Sequence, residues 1–331
     1  MVGIPQLTAA LALLTPLAFQ GCLVHSPGTL HASSTDPLTS DQLELREELG
    51  LDVEHLSAEI GPRNAAESFP RVLTAERWLL ERLEEVGIEG ERDEVDLNGP
   101  KAANVVATFT GSELPDEILL LGAHYDTQKG SPGANDNASG VALLLATARR
   151  LVDEPLGRTV RIVFFVNEEN PFSGGIQMGS RVHADRCRER GDDIVGMISV
   201  DSIGYYSSEP GSQKSPPLSG LPTTGNFVTF VGNLDSKPLL DRVVAVFQEE
   251  SRFPSLGIAT DMKDAARSDH APFWWRGYPA VGLSDTSEGR DPHYHLPSDT
   301  AENLDYDEFA RLADGFIRSV HALADAELAL R

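Results

Sequence analysis

Three apolar runs alternate with two stretches of helical spacing through the middle of the chain, and this alternation restricts the fold more than any other feature. The runs are residues 118–123 (ILLLGA), 160–166 (VRIVFFV) and 194–200 (IVGMISV). Continuous apolar runs of this length mark strands covered on both faces. Between them, apolar positions over 138–152 and 174–189 recur with helical spacing. Strands separated by helices pair in parallel, so their carboxyl ends share one sheet edge. In open α/β sheets that edge is where ligands bind.

Each run ends on chemistry. His124 stands just past the first, Asn167-Glu168-Glu169 past the second, and Asp201 past the third. The Gly/Pro-rich loop 130–137 then puts Asp136 at a loop-to-helix junction. Taken alone, Asp136 or Asn137 serves a helix cap as readily as a metal, since Asp and Asn are favoured N-cap residues. Together, four acids with no Lys or Arg nearby repel one another, and a divalent metal relieves that repulsion most simply. One imidazole and several carboxylates suit zinc, with manganese or cobalt as substitutes.

The flanks read as packing elements of one domain, residues 38–331. A helix from Thr39 or Ser40 to about Ile60 is broken by Gly61-Pro62-Arg63, and a second spans roughly Pro70 to Val86. Strands are expected at 91–97 and 103–110, a long loop at 203–225, a strand at 227–231 and a helix at 237–250. Residues 252–268 read as irregular. A short aromatic helix at 269–275, a strand at 280–284, a loop carrying His293 and His295, and a helix at 305–328 complete the chain.

The chain has 331 residues, and 51 acids against 27 bases give a formal charge of −24. That balance excludes a phosphate-backbone partner, so no nucleic acid is expected. Residues 7–19 form an apolar run ahead of Gln20-Gly21-Cys22, which reads as a secretory signal over 1–21. The Gly-Cys pair resembles a bacterial lipoprotein cleavage site, although no Lys or Arg precedes the run and Phe19 replaces the usual Leu. The expectation is an exported protein, in the cell envelope or secreted, with membrane attachment through a lipidated Cys22 and a flexible tether over 22–37. Only Cys22 and Cys187 are present. They leave open a single disulfide between them if Cys22 is not lipidated.

Several segments taken together resemble a known family. They are His124-Tyr125-Asp126, Gly133-Ala134-Asn135-Asp136-Asn137-Ala138-Ser139-Gly140, Asn167-Glu168-Glu169, Asp201, and His295-Leu296-Pro297-Ser298-Asp299-Thr300. Gly61-Pro62-Arg63 and Ser268-Asp269-His270 fit it as well. The chain resembles the co-catalytic zinc aminopeptidases of metallopeptidase clan MH, relatives of glutaminyl cyclase and glutamate carboxypeptidase. The resemblance runs from about residue 40 to 325.

It implies a three-layer α/β sandwich, with a central mixed, mostly parallel twisted sheet flanked by helices. It also implies that His124 and Asp201 hold one zinc, Glu169 and His295 a second, and Asp136 bridges both. Asp126 would take the other imidazole N–H of His124, and Glu168 would be the general base for a water between the metals. Peptides with a free N-terminus would be the substrates. His293 competes with His295, and the Leu-Pro-Ser-Asp-Thr that follows favours His295.

Ser268-Asp269-His270 is a poor triad, because its members are consecutive and no Gly-x-Ser-x-Gly elbow exists. Asp269 reads instead as a helix cap. Tyr205, Tyr206, Phe273, Trp274 and Trp275 are candidates for a side-chain pocket or for the core. After Glu169 the family's usual Gly-Leu-x-Gly-Ser is replaced by a longer segment ending at Ser180, beside the expected site. The rival readings are a single-zinc glutaminyl-peptide cyclotransferase, a non-catalytic ectodomain on the same fold, and a carboxypeptidase. Carboxypeptidase relatives commonly carry an inserted dimerisation domain that has no counterpart between Asp201 and His295.

Overall fold

A computed structural model describes residues 23–152, 154–214 and 221–330. The expected signal segment 1–21 and Cys22 lie outside the described residues. In chain order the elements begin with β1 (Leu23–His25), α1 (Ser40–Glu54), α2 (Phe69–Glu85), β2 (Glu91–Asp96), β3 (Lys101–Phe109) and β4 (Leu114–His124). They continue with α3 (Gly140–Leu151), β5 (Arg158–Phe165), α4 (Gly179–Arg190), β6 (Asp193–Val200), β7 (Val228–Gly232) and α5 (Lys237–Glu250). The last are β8 (Ser255–Thr260), α6 (His270–Trp275), β9 (Ala280–Ser284) and α7 (Tyr306–Leu323).

The nine strands among the described residues form one sheet, in the order β1-β8-β7-β9-β6-β4-β5-β3-β2. The strands that end on His124, Phe165 and Val200 are mutually parallel, with β4 between β5 and β6, and β9 joins β6 in parallel. Outside that block the pairings are antiparallel at β2 with β3, β3 with β5, β7 with β9 and β1 with β8, and parallel at β7 with β8. The sheet is therefore mixed, and its parallel block lies at the centre.

Side chains alternate between the two faces, as a pleated strand requires. From β4, Leu119 and Leu121 enter the larger core with α1, α2, α3, α5 and α7, whereas Ile118 and Leu120 pack with α4 and α6 on the other face. This makes the three layers. Local chemistry sets the ends: Thr39 and Gln42 close a reciprocal capping box on α1, and Asp305 caps α7 through the Glu308 amide.

Three stretches differ from expectation. Residues 255–260, read as irregular, form β8, paired with β7 on one side and β1 on the other. A Cβ at Gly257 would meet the Ser26 hydroxyl, so the close pairing explains the glycine that weakened the strand signal. The expected tether is held at both ends: Leu23–His25 adds to β8, the Ser26 amide donates to Gly257 at 2.8 Å, and Arg311 donates to the Asp36 carbonyl. Finally, α4 starts at Gly179 rather than near 174, because Pro171 and the left-handed Gly174 (φ 67°) keep 170–178 in turns. Cys187 is a free, buried thiol on α4, pushed by burial to about 12.

Candidate metal centre

The sheet brings every expected ligand to one edge. His124 is the last residue of β4, and Asp201 directly follows β6. Asn167 follows Val166 beyond β5 in the left-handed region (φ 61°), a conformation Asn tolerates. That turn bends the chain so that Glu168 and Glu169 need not point to opposite sides. Ser202 (φ 53°) and His295 (φ 63°) are also left-handed, so positive φ clusters where the ligands leave regular structure.

His124 Nε2 lies 3.2 Å from Asp136 Oδ1 and 3.8 Å from Asp201 Oδ1. His295 Nε2 lies 3.0 Å from Asp136 Oδ2 and 3.2 Å from Glu169 Oε1. Asp136 thus turns one oxygen to each side. Two groups of three follow, His124/Asp136/Asp201 and Asp136/Glu169/His295, with the ligand atoms of each within 4.8 Å of one another. His124 Nε2 and Glu169 Oε1 are buried without a hydrogen bond. Converging imidazole and carboxylate atoms left without donors fit a divalent cation, and nitrogen with oxygen suits zinc.

Glu168 is buried, lines the cleft and belongs to neither group. Asp126 Oδ1 accepts from the Glu168 amide at 3.0 Å and Oδ2 from the Glu169 amide at 3.2 Å. The expected contact to His124 is longer: Nδ1 is 3.7 Å from Asp126 Oδ1 and 3.2 Å from the Asp126 carbonyl. The Asp126 carboxylate therefore shapes the Glu168-Glu169 turn, and its own carbonyl stands nearest the imidazole.

The capping role passes to Asn137, whose Oδ1 accepts from the Gly140 amide at 3.0 Å. His293 faces Ser298 Oγ at 3.0 Å. Asp269 makes no capping bond to α6; it is buried, with Oδ1 unpartnered. His270 contacts Ser199 Oγ at 3.0 Å and the Ala265 carbonyl at 2.6 Å, and no triad forms. Of the candidate aromatics only Trp275 lines the cleft, joined by Tyr294. Tyr206 packs on Phe253, and Phe273 is core.

Charge in the pocket is unbalanced. Burial raises the Glu168 carboxyl well above its ordinary range, opposed by His124 and reinforced by Glu169, Asp269 and Asp201. Burial and the Asp136 charge lift Glu169 to about 7. Burial disfavours a charged His295, but Asp136 and Glu169 outweigh it and raise the imidazole to about 10. The cleft itself encloses about 640 Å³, and Asn170, Ser173, Gly174 and Met178 of the departing segment line it. A second, more open concavity of about 910 Å³ lies between α1 and 300–307 and has no histidine in its lining.

Two supports were not singled out as such in the sequence. Asp299 accepts from the Asn135 amide at 2.7 Å and the Asp136 amide at 3.1 Å, and its carbonyl accepts from Ala134. Asn135 Nδ2 in turn donates to Asp285 and Asp291, both at 3.0 Å. The signal was present in Asp299, four residues after His295, but sequence separation hid the contact.

A model of peptidase family M28 matches residues 104–320, about two thirds of the chain. The chain belongs to peptidase family M28. An Escherichia coli (strain K12) protein, YfbL, is 32% identical over 284 residues, covering 82% of this chain and 86% of its own length. A probable leucine aminopeptidase of the fungus Trichophyton verrucosum is 27% identical over 261 residues, 72% of this chain and 64% of the relative. Among solved structures, a zinc aminopeptidase of Bacillus subtilis matches with a TM-score of 0.66 at 14% identity, covering 86% of this M28 chain and 96% of that one. At that identity the likeness concerns the fold. It agrees with the α/β sandwich that the resemblance implied.

Proposed function

We propose that this chain is an exported di-zinc aminopeptidase that removes N-terminal residues from peptides. One observation carries the reading: Asp136 offers one oxygen to each of two ligand groups, while Glu168 stands beside them and joins neither. In this reading His124 and Asp201 hold one zinc, Glu169 and His295 the other, and Asp136 both. Zinc bound there supplies Lewis-acid polarisation of a carbonyl and acidifies water.

The chain's own residues supply the rest. Asp126 fixes the turn that separates the Glu168 and Glu169 roles. Glu168 Oε takes a proton from the attacking water and passes it to the leaving amine, which requires a carboxylate free of ligation. Asp136, Glu168, Glu169, Asp201, Asp264 and Glu288 line the cleft and attract a free α-ammonium. Arg267 is the only Arg or Lys among the described lining residues, and it is paired with Glu288 at 2.7 Å. A free C-terminal carboxylate has no unpaired Arg or Lys to meet among the described lining residues, which favours action at the amino end.

Glu168→Gln is expected to keep its zinc and lose turnover on aminoacyl anilides by at least about 100-fold. Turnover equal to the parent's would sink the assigned base. Ammonia release from glutaminyl peptides, with one zinc per chain, would replace the reading by the cyclotransferase. For export, labelling with a palmitate analogue is expected in the parent and absent in Cys22→Ala. Unlabelled, cytosolic parent protein would remove that part.

A further inference from the structure

Arg63 is fully buried, yet among the described residues it faces no carboxylate within hydrogen-bonding distance; each of its side-chain bonds goes to a backbone carbonyl. Nε donates to Tyr125 at 2.5 Å, the residue between His124 and Asp126. Nη1 donates to Pro132 at 2.7 Å and Nη2 to Gly133 at 3.1 Å, on the loop that leads into Asp136. Nη1 also reaches Leu56 at 3.1 Å and Gly61 at 3.3 Å, within and just after the helical stretch His55–Ile60 that continues α1. The Arg63 amide donates to Thr127 Oγ1 at 3.0 Å.

The next residue extends the same staple. Asn64 Nδ2 donates to the Thr127 carbonyl at 2.8 Å and to the Asn170 carbonyl at 3.0 Å, directly after Glu169. Two consecutive residues therefore touch the segments bearing His124, Asp136 and Glu169. Loop 130–133 is also tight: Gly133 is left-handed (φ 65°), and a Cβ there would lie 2.4 Å from the Asp136 carbonyl. Such a loop holds one shape only if its outward carbonyls find donors, because unpaired buried carbonyls are costly.

We infer that Arg63 is a positioning residue that sets the spacing of the metal ligands through its planar fork, with Asn64 extending its reach to the Glu169 segment. The inference rests on the proposed metal site. Its charge is favoured by Asp126, Asp299 and Asp136, but charge alone cannot explain why its hydrogen bonds run to backbone carbonyls of separate segments. The fork can, since five fixed N–H groups spread over three segments do what the compact ammonium of Lys cannot.

Arg63→Lys separates the two effects by keeping the charge and losing the fork. Zinc affinity is read by competition with a chelating dye, and ligand geometry by the absorption bands of the cobalt(II) form. Arg158 provides the control. It is equally buried, but it binds the Asp325 and Leu328 carbonyls and Glu117, at the opposite end of β5.

Arg63→Lys is expected to bind zinc about 10- to 100-fold more weakly, with altered cobalt bands, as for other groups that orient ligands. Arg158→Lys is expected to melt earlier while keeping parental zinc affinity and bands. Parental affinity and bands in Arg63→Lys would overturn the inference, as would an equal loss of affinity in Arg158→Lys. If Arg63→Lys fails to fold, Asn64→Ala decides, with about a 10-fold loss expected and parental affinity overturning the staple. A parent that binds no zinc would remove the metal site itself, an outcome distinct from either.

Discussion

Two clusters of acid and histidine among the described residues lie on this sheet, and they solve the same electrostatic problem differently. Asp93 on β2 accepts from His183 Nδ1 at 2.7 Å and Asn104 Nδ2 at 3.1 Å, and it pairs with Arg186. Burial would raise its carboxyl, but His183, Asn104 and Arg186 together hold it well below the usual range. At the sheet's carboxyl edge, Asp136, Glu168, Glu169 and Asp201 gather around two histidines, and the buried Arg63 gives its hydrogen bonds to carbonyls rather than to these acids. The first cluster is neutralised by the chain's own groups. The second is left with excess acid and orphaned ligand atoms, which is why its completion calls for a cation from outside.

The sharpest way to break this contrast is to remove the shared oxygen donor. Asp136→Ala takes one ligand from each group, so zinc affinity is expected to fall by more than about 100-fold. The rise in melting temperature on adding zinc should vanish with it. Zinc retained at parental affinity, measured by dye competition, would show that Asp136 is not shared.

The corresponding change in the self-sufficient cluster is expected to touch stability alone. Asp93→Asn loses charge-assisted bonds to His183 and Arg186, at a cost of about 2 kcal/mol, and melts a few degrees earlier, with zinc affinity unchanged. Its pH dependence follows from the sign of the shift. A carboxyl held below its ordinary value stabilises the fold at pH above about 4, where the unfolded chain's Asp is also ionised, and that contribution fades as pH falls further. The parent's advantage over Asp93→Asn should therefore shrink below about pH 4, as read by denaturant titration. An advantage that grows on acidification would contradict the assignment.

Much of this site was legible because its residues sit at strand ends. A strand's length and apolar character show in the residues themselves, so the positions after 123, 166 and 200 could be marked without knowing which strands pair. His295 was distinguished from His293 only by the residues after it. The structure gives the physical reason for the difference: His293 turns to Ser298, while the left-handed His295 reaches Asp136 and Glu169. Asp269 was read as a cap because it precedes a helix, and its burial without a capping bond depends on neighbours the local sequence does not specify. β8 escaped for the same reason, since Gly257 weakens the strand pattern and the close approach of Ser26 and Val244 accounts for it.

The sequence by itself determined the alternation of strands and helices, the parallel block, the types of candidate ligand and their places at the carboxyl ends. Those properties follow from hydrophobic period and from chain connectivity, both of which are local. The tertiary structure alone decided that Asp136 splits its two oxygens, that Asp126 grips the Glu168 and Glu169 amides, and that Arg63 binds carbonyls from three segments. Each depends on the direction of several polar contacts between separate segments of the chain, and only packing fixes that direction.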